Sequence, residues 1–140
     1  MSTLPPAARL VAPLPADPAA RVALFTVRRM GAHGLADAQA AWAVLATFGR
    51  GFRRPLLLTR ALMVELAGTA RRTIAIAPCC CARVTASEDA LLALLTGSGE
   101  ADDLRPRARD LLGASHVDHV LAAAAAVAVA YADAGRPLGG

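Results

Sequence analysis

The 140-residue sequence contains no lysine, so all 15 of its basic residues are arginine. It is also poor in aromatics, at 4% of residues. Surfaces that bind nucleic acid broadly set many cations among exposed rings, so this double shortage disfavours nucleic acid as a partner. No segment approaches the roughly 18 consecutive apolar residues of a membrane span. The longest run, Val120 to Ala132, is about a dozen residues and mostly alanine, so no transmembrane segment is expected. A nucleophile elbow, a phosphate-binding loop, a dinucleotide fingerprint and a paired-carboxylate pattern are all missing, which leans against an enzyme.

What is present is alanine. The hydrophobic fraction of 56% owes much to it, and alanine is the best helix former. Residues 1–16 are proline-rich without apolar periodicity and are expected to form a flexible arm. Pro5, Pro6, Pro13, Pro15 and Pro18 also interrupt any apolar stretch that would serve as a secretion signal. The expected location is the cytoplasm, where thiols stay reduced.

Residues 17–137 are expected to form a single helical domain. Asp17-Pro18 supplies an N-cap acceptor and a proline at the first helical position, opening a helix to about Met30. Gly31-Ala32-His33-Gly34 reads as a turn. A second helix, Leu35 to Phe48, places Leu35, Ala38, Trp42, Leu45 and Ala46 on one apolar stripe. A third opens at Pro55 and ends at Gly68; it is apolar nearly all round, the pattern of a buried central helix. The β-branched segment from Thr73 to Pro78 predicts an extended connector. Thr85-Ala86-Ser87-Glu88 is a capping box that launches a fourth helix to Leu95. The stretch Thr96 to Gly99 reads as a loop, and a short fifth helix ends at Leu112. Ser115 to Asp118 repeats the capping logic before the alanine-rich last helix. The fold class expected is therefore all-α, an irregular bundle of five or six helices with a short extended connector that carries the cysteines.

Charge is uneven along the chain. From Arg21 to Arg83 ten arginines face two acids, whereas from Val84 onward four arginines face eight acids. The two halves can complement each other, or the basic one can meet an anionic partner. Arg50, Arg53, Arg54 and Arg60, before and within the third helix, are candidates for binding an anion, since the first N–H groups of that helix would point at the same charge. Glu65 interrupts the same helix, and a buried acid there needs a partner such as Arg60, Arg71 or Arg72.

All three cysteines are consecutive: Cys79, Cys80 and Cys81. Three readings follow. They are metal ligands for zinc or another thiophilic metal, completed by His33, His116 and His119, although adjacent cysteines converge on one ion less readily than C-x2-C. They are reactive thiols, with Arg71, Arg72 and Arg83 supplying the positive charge that favours thiolate. Or they are small apolar residues packed where helices meet.

The segments Arg28-Arg29-Met30-Gly31-Ala32-His33-Gly34-Leu35-Ala36-Asp37, Phe52-Arg53-Arg54-Pro55-Leu56 and Ala77-Pro78-Cys79-Cys80-Cys81-Ala82-Arg83 together resemble a family of small alphaproteobacterial proteins classed as a domain of unknown function. The resemblance implies no activity, ligand or partner. The expected role is that of a non-catalytic helical interaction or regulatory protein, and the alternative is a cysteine-centred metal-binding or thiol redox-sensing protein. The partner expected is another protein, with homo-oligomerisation left open.

Overall fold

A computed structural model of the chain describes residues 4–97 and 101–139, without the side chains of residues 101–103. The described residues form six α-helices: α1 Pro18–His33, α2 Ala38–Phe48, α3 Arg53–Thr69, α4 Ala86–Thr96, α5 Ala101–Leu112 and α6 Asp118–Asp133. A two-stranded ribbon accompanies them, so the all-α expectation holds with one small addition. α3 lies along α6, and α4 packs on both α5 and α6. The main core gathers Val27 of α1, Leu62 of α3, Leu95 of α4, Leu112 of α5 and Val127 of α6. A smaller cluster of Met30, Ala40, Val44 and Leu56 attaches α2 to α1 and α3.

Local signals place the helix ends well where their partners are near in sequence. The Asp17 carboxylate accepts from the N–H groups of Ala19 and Ala20. Thr85 and Glu88 form the reciprocal capping box. Pro55 falls in the first turn of α3, which begins two residues earlier, so its missing N–H removes no helical bond.

Elsewhere the structure corrects the sequence. Leu10–Pro13 form strand β1, antiparallel to β2, Arg83–Thr85, with Leu10 opposite Thr85 and Pro13 opposite Arg83. A segment without apolar periodicity is thus paired through its backbone. Gly31 to His33 do not turn but complete α1, and the reversal runs from Gly34, at φ 104°, through a turn at Leu35 and Ala36 that the Asp37 N–H closes on the Gly34 carbonyl at 3.1 Å. The second helix begins at Ala38, not Leu35, and the expected stripe is the solvent side: Ala38, Trp42, Leu45 and Ala46 of α2 are exposed, as is Leu35 in the turn before it, while Ala40 and Val44 are buried. Those two small residues, four apart, let α2 approach Met30 and Leu56 closely. α3 is not the buried centre either, since it exposes Leu57 at 58% and Val64 at 54% whereas α1 buries eight residues against five for α3. α6 is preceded not by a Ser115 cap but by buried Val117, with no side-chain cap bond. α4 ends on Gly97 in the left-handed conformation, and the rest of the loop expected after it, residues 98–99, lies outside the described residues.

Candidate functional site

The residues that mark the site come from α1 and from the connector between α3 and α4. Arg28 is buried on α1, and its guanidinium makes four hydrogen bonds. Nε donates to Glu88 Oε2 at 2.7 Å and Nη2 to Glu88 Oε1 at 3.0 Å. Nη2 also donates to the Arg83 carbonyl at 2.7 Å, and Nη1 to the Cys81 carbonyl at 2.9 Å. Glu88 is equally occupied, accepting from Arg28 twice, from the Thr85 N–H at 2.9 Å and from the Ala77 N–H at 3.2 Å. The Glu88 hydrogen bonds raise the Arg28 pKa above its ordinary value, against the opposing effect of burial. One ion pair thereby clamps α1, the connector, β2 and the start of α4 together. Such a pair is tolerable in a low-dielectric interior only when its remaining hydrogen-bonding groups are satisfied, as most are here.

The clamp presents the cysteines. The Cys81 N–H donates to the Pro78 carbonyl at 3.0 Å, closing a turn with Cys79 and Cys80 at its centre. Cys80 is exposed and its two neighbours are half-buried, all three as free thiols. None of the three is fully buried. The sulfurs of Cys79 and Cys80 lie 3.3 Å apart and share a hydrogen bond, and that bond pushes the Cys80 thiol's pKa up.

Beside them stands Arg29, whose guanidinium binds Asp37 bidentately at 3.0 and 2.9 Å and which lines one cavity together with Cys79. Asp37 caps α2 by accepting from the Ala40 N–H at 2.9 Å. Arg29 foremost, with help from that N–H, lowers the Asp37 pKa to about 2. His33 completes one wall of a cavity of about 500 Å³ that also includes Arg28, Arg29, Ile74, Ile76 and Cys79. Gly31 forms part of the same wall, where a Cβ would stand 2.5 Å from Ile76 Cδ1. The helix approaches the connector this closely because that residue has no side chain.

Not every sequence candidate belongs to this place. Arg71 donates its backbone N–H to Leu112, Arg72 pairs with Asp110 at 3.6 Å, and the Arg83 side chain is exposed on the ribbon. The cations beside the cysteines are instead Arg28 and Arg29. His116 lines a separate cavity with Gly68, Arg71 and Ser115, and His119 is exposed on α6. Among the described residues, no three His, Cys, Asp or Glu side chains stand together as a metal site. The anion-binding candidates are dispersed: Arg54 pairs with Asp133 at 2.7 Å, Arg60 donates to the Leu35 carbonyl at 2.9 Å, and Arg50 and Arg53 are exposed. Glu65 is only half-buried; among the described residues the fully buried acid is Glu88, which the sequence presented simply as a capping residue.

Residues 3–133 match the family model described as "Family of unknown function (DUF6628)". No curated protein and no solved structure matches the chain.

Proposed function

We propose, for a chain that belongs to the family of unknown function DUF6628, a non-catalytic regulatory role in which the Cys79–Cys80 pair receives a thiol-reactive or redox signal. The observation that carries this reading is the pair of sulfurs 3.3 Å apart, with Arg29 and Cys79 lining one cavity. Access and a neighbouring cation are the two conditions that favour a reactive sulfur. Cys79, the sulfur that lines the cavity with Arg29, is the one that reacts, and Cys80 is its hydrogen-bonded neighbour. Zinc or another thiophilic metal is less favoured, because neither His116 nor His119 lines the cavity beside Cys79. Chemistry at Cys79 has two routes onward, through Arg29 and Asp37 to the start of α2 and through Arg28 and Glu88 to α4. The role assumes a reducing compartment such as the cytoplasm, in which the resting pair stays reduced.

The exposed side of α2 supports the expectation of a protein partner, since Trp42 is 68% exposed with Leu35 and Leu45 also at the surface. Trp42 is the one tryptophan of the chain, so its fluorescence reports directly on whether that face becomes covered.

The test is labelling of the reduced full chain by a neutral thiol reagent near pH 7, with each adduct located by peptide mass. Cys79 is expected to react faster than Cys80 and faster than a free cysteine, and Arg29→Gln to slow it while Arg83→Gln does not. Labelling of Cys79 no faster than that of free cysteine overturns the reading.

A further inference from the structure

We infer that the cavity beside Cys79 recognises a small anionic disulfide, and that the oxidised state of the protein is the mixed disulfide on Cys79 rather than a bond between Cys79 and Cys80. The inference rests on the thiol reading above and adds to it a substrate class and a product.

The cavity, at about 500 Å³, falls within the size range of small-molecule sites. Its walls differ in character. Ile74, Ile76 and Ala77 of the connector are apolar, whereas α1 contributes Arg29 and His33. Arg28 is not available as an anion donor, because Glu88 and two backbone carbonyls already occupy its guanidinium. Arg29 uses Nε and Nη2 on Asp37, so Nη1, which Asp37 does not use, is the donor we assign to a ligand carboxylate, with the exposed His33 as a second polar group. A short apolar chain ending in a carboxylate matches these walls, and Cys79 lines the same cavity.

The step is thiol–disulfide exchange. The Cys79 thiolate attacks one sulfur of R–S–S–R, a new bond forms between Cys79 and that sulfur, and the other half leaves as R–S⁻. The attacked disulfide is the oxidant, and its two electrons depart with the leaving thiolate. Completion to an internal bond would require Cys80 to displace the second R–S⁻. Adjacent residues joined by a trans peptide have Cα atoms about 3.8 Å apart, below the roughly 4.4–6.8 Å that disulfides span. None of the described peptide bonds is cis. The pair is thus poorly built for its own bond, and the mixed disulfide accumulates.

Three probes of similar length test this on the reduced full chain: 3,3′-dithiodipropionate, which is anionic, hydroxyethyl disulfide, which is neutral, and cystamine, which is cationic. Each reaction is followed by intact mass and mapped by peptide mass. Relative to each probe's rate with free cysteine, which cancels the leaving thiol's own pKa, the Cys79 adduct should form about tenfold faster with the anionic probe than with the cationic one, as expected for one charge contact near a protein surface, and it should persist. Arg29→Gln should abolish the preference and His33→Gln should reduce it, while Arg136→Gln, remote from the cavity lining, should leave it intact. His33→Gln keeps the test sound if loss of the Asp37 pair unfolds the Arg29 variant. Equal rates for the three probes after that normalisation, with Cys79 still faster than Cys80, overturn the substrate class and leave the thiol reading standing. Loss of two hydrogens without an adduct overturns the mixed disulfide, whether the bond joins Cys79 to Cys80 or to Cys81. A Cys79 as slow as free cysteine towards every probe overturns both readings.

Discussion

Arg28 and Glu88, 60 residues apart in the chain, meet at 2.7 Å with side chains 1% exposed. Four structural segments converge on this pair, and its two charges neutralise each other where water is excluded. Removing either one leaves the other buried and uncompensated. Glu88→Ala or Arg28→Ala is therefore expected to cost about 3–5 kcal/mol, and the joint replacement Arg28→Met with Glu88→Leu to cost clearly less than the sum of the two. Denaturant midpoints of the three variants decide the matter. A double variant as unstable as the sum of the singles would show that the two side chains act independently.

Asp37 carries the pH dependence. Its pKa is lowered to about 2 in the folded state, against about 3.9 for an unperturbed aspartate. A carboxylate whose folded pKa is depressed contributes stability above its unfolded pKa and loses that contribution as pH falls through the folded one. Stability should therefore decline between about pH 4 and pH 2 in a way that Asp37→Asn removes. Titration of the Asp37 carboxyl by NMR should give a midpoint near 2 that rises in Arg29→Gln; a midpoint near 4 in the parent chain contradicts the bidentate pair.

Gly31 and Ile76 form a matched contact. Alanine at position 31 gains helix propensity of about 0.5–1 kcal/mol, but its Cβ would stand 2.5 Å from Ile76 Cδ1, and overpacking typically costs about 1–3 kcal/mol. Gly31→Ala should thus destabilise slightly, and Gly31→Ala with Ile76→Val, which removes the offending methyl, should recover or exceed the parent melting temperature. No recovery in the pair would mean that the helix and connector are not in contact there.

Tyr131 is fully buried, its hydroxyl has no hydrogen-bond partner among the described residues, and its ring meets Phe48 edge-on with centroids 4.8 Å apart. Burial alone pushes its pKa up. Since an unsatisfied buried hydroxyl costs free energy, Tyr131→Phe should leave the melting temperature unchanged or raise it, while Tyr131→Ala should lose about 3–5 kcal/mol by analogy with other aromatic truncations. A marked loss in Tyr131→Phe would reveal a partner for the hydroxyl.

Within α3 the two faces should respond oppositely. Leu62 is fully buried, so Leu62→Ala is expected to cost about 2–5 kcal/mol. Leu57, at 58% exposure, should tolerate alanine within about 0.5 kcal/mol. Equal effects would mean that the helix is rotated from its described orientation.

The sequence by itself determined what depends on near neighbours. The Asp17 cap, the Thr85–Glu88 box and the helical content follow from hydrogen bonds and periodicities that span no more than a few residues, so residue order alone reveals them. The tertiary structure decided everything that joins distant segments. β1 has no apolar periodicity because almost all of it is exposed and only its backbone pairing with β2 holds it. The buried side of α2 is set by the small residues Ala40 and Val44 meeting Met30 and Leu56, rather than by its largest apolar side chains. Glu88 satisfies a cap and a buried arginine with the same carboxylate, and only the first of these is local. The presentation of Cys79 and Cys80, on which their chemistry depends, likewise involves Arg28, which reaches the Cys81 carbonyl of the connector from α1. Free energies of that kind arise from contacts whose partners folding alone brings together, so no local pattern in the chain encodes them.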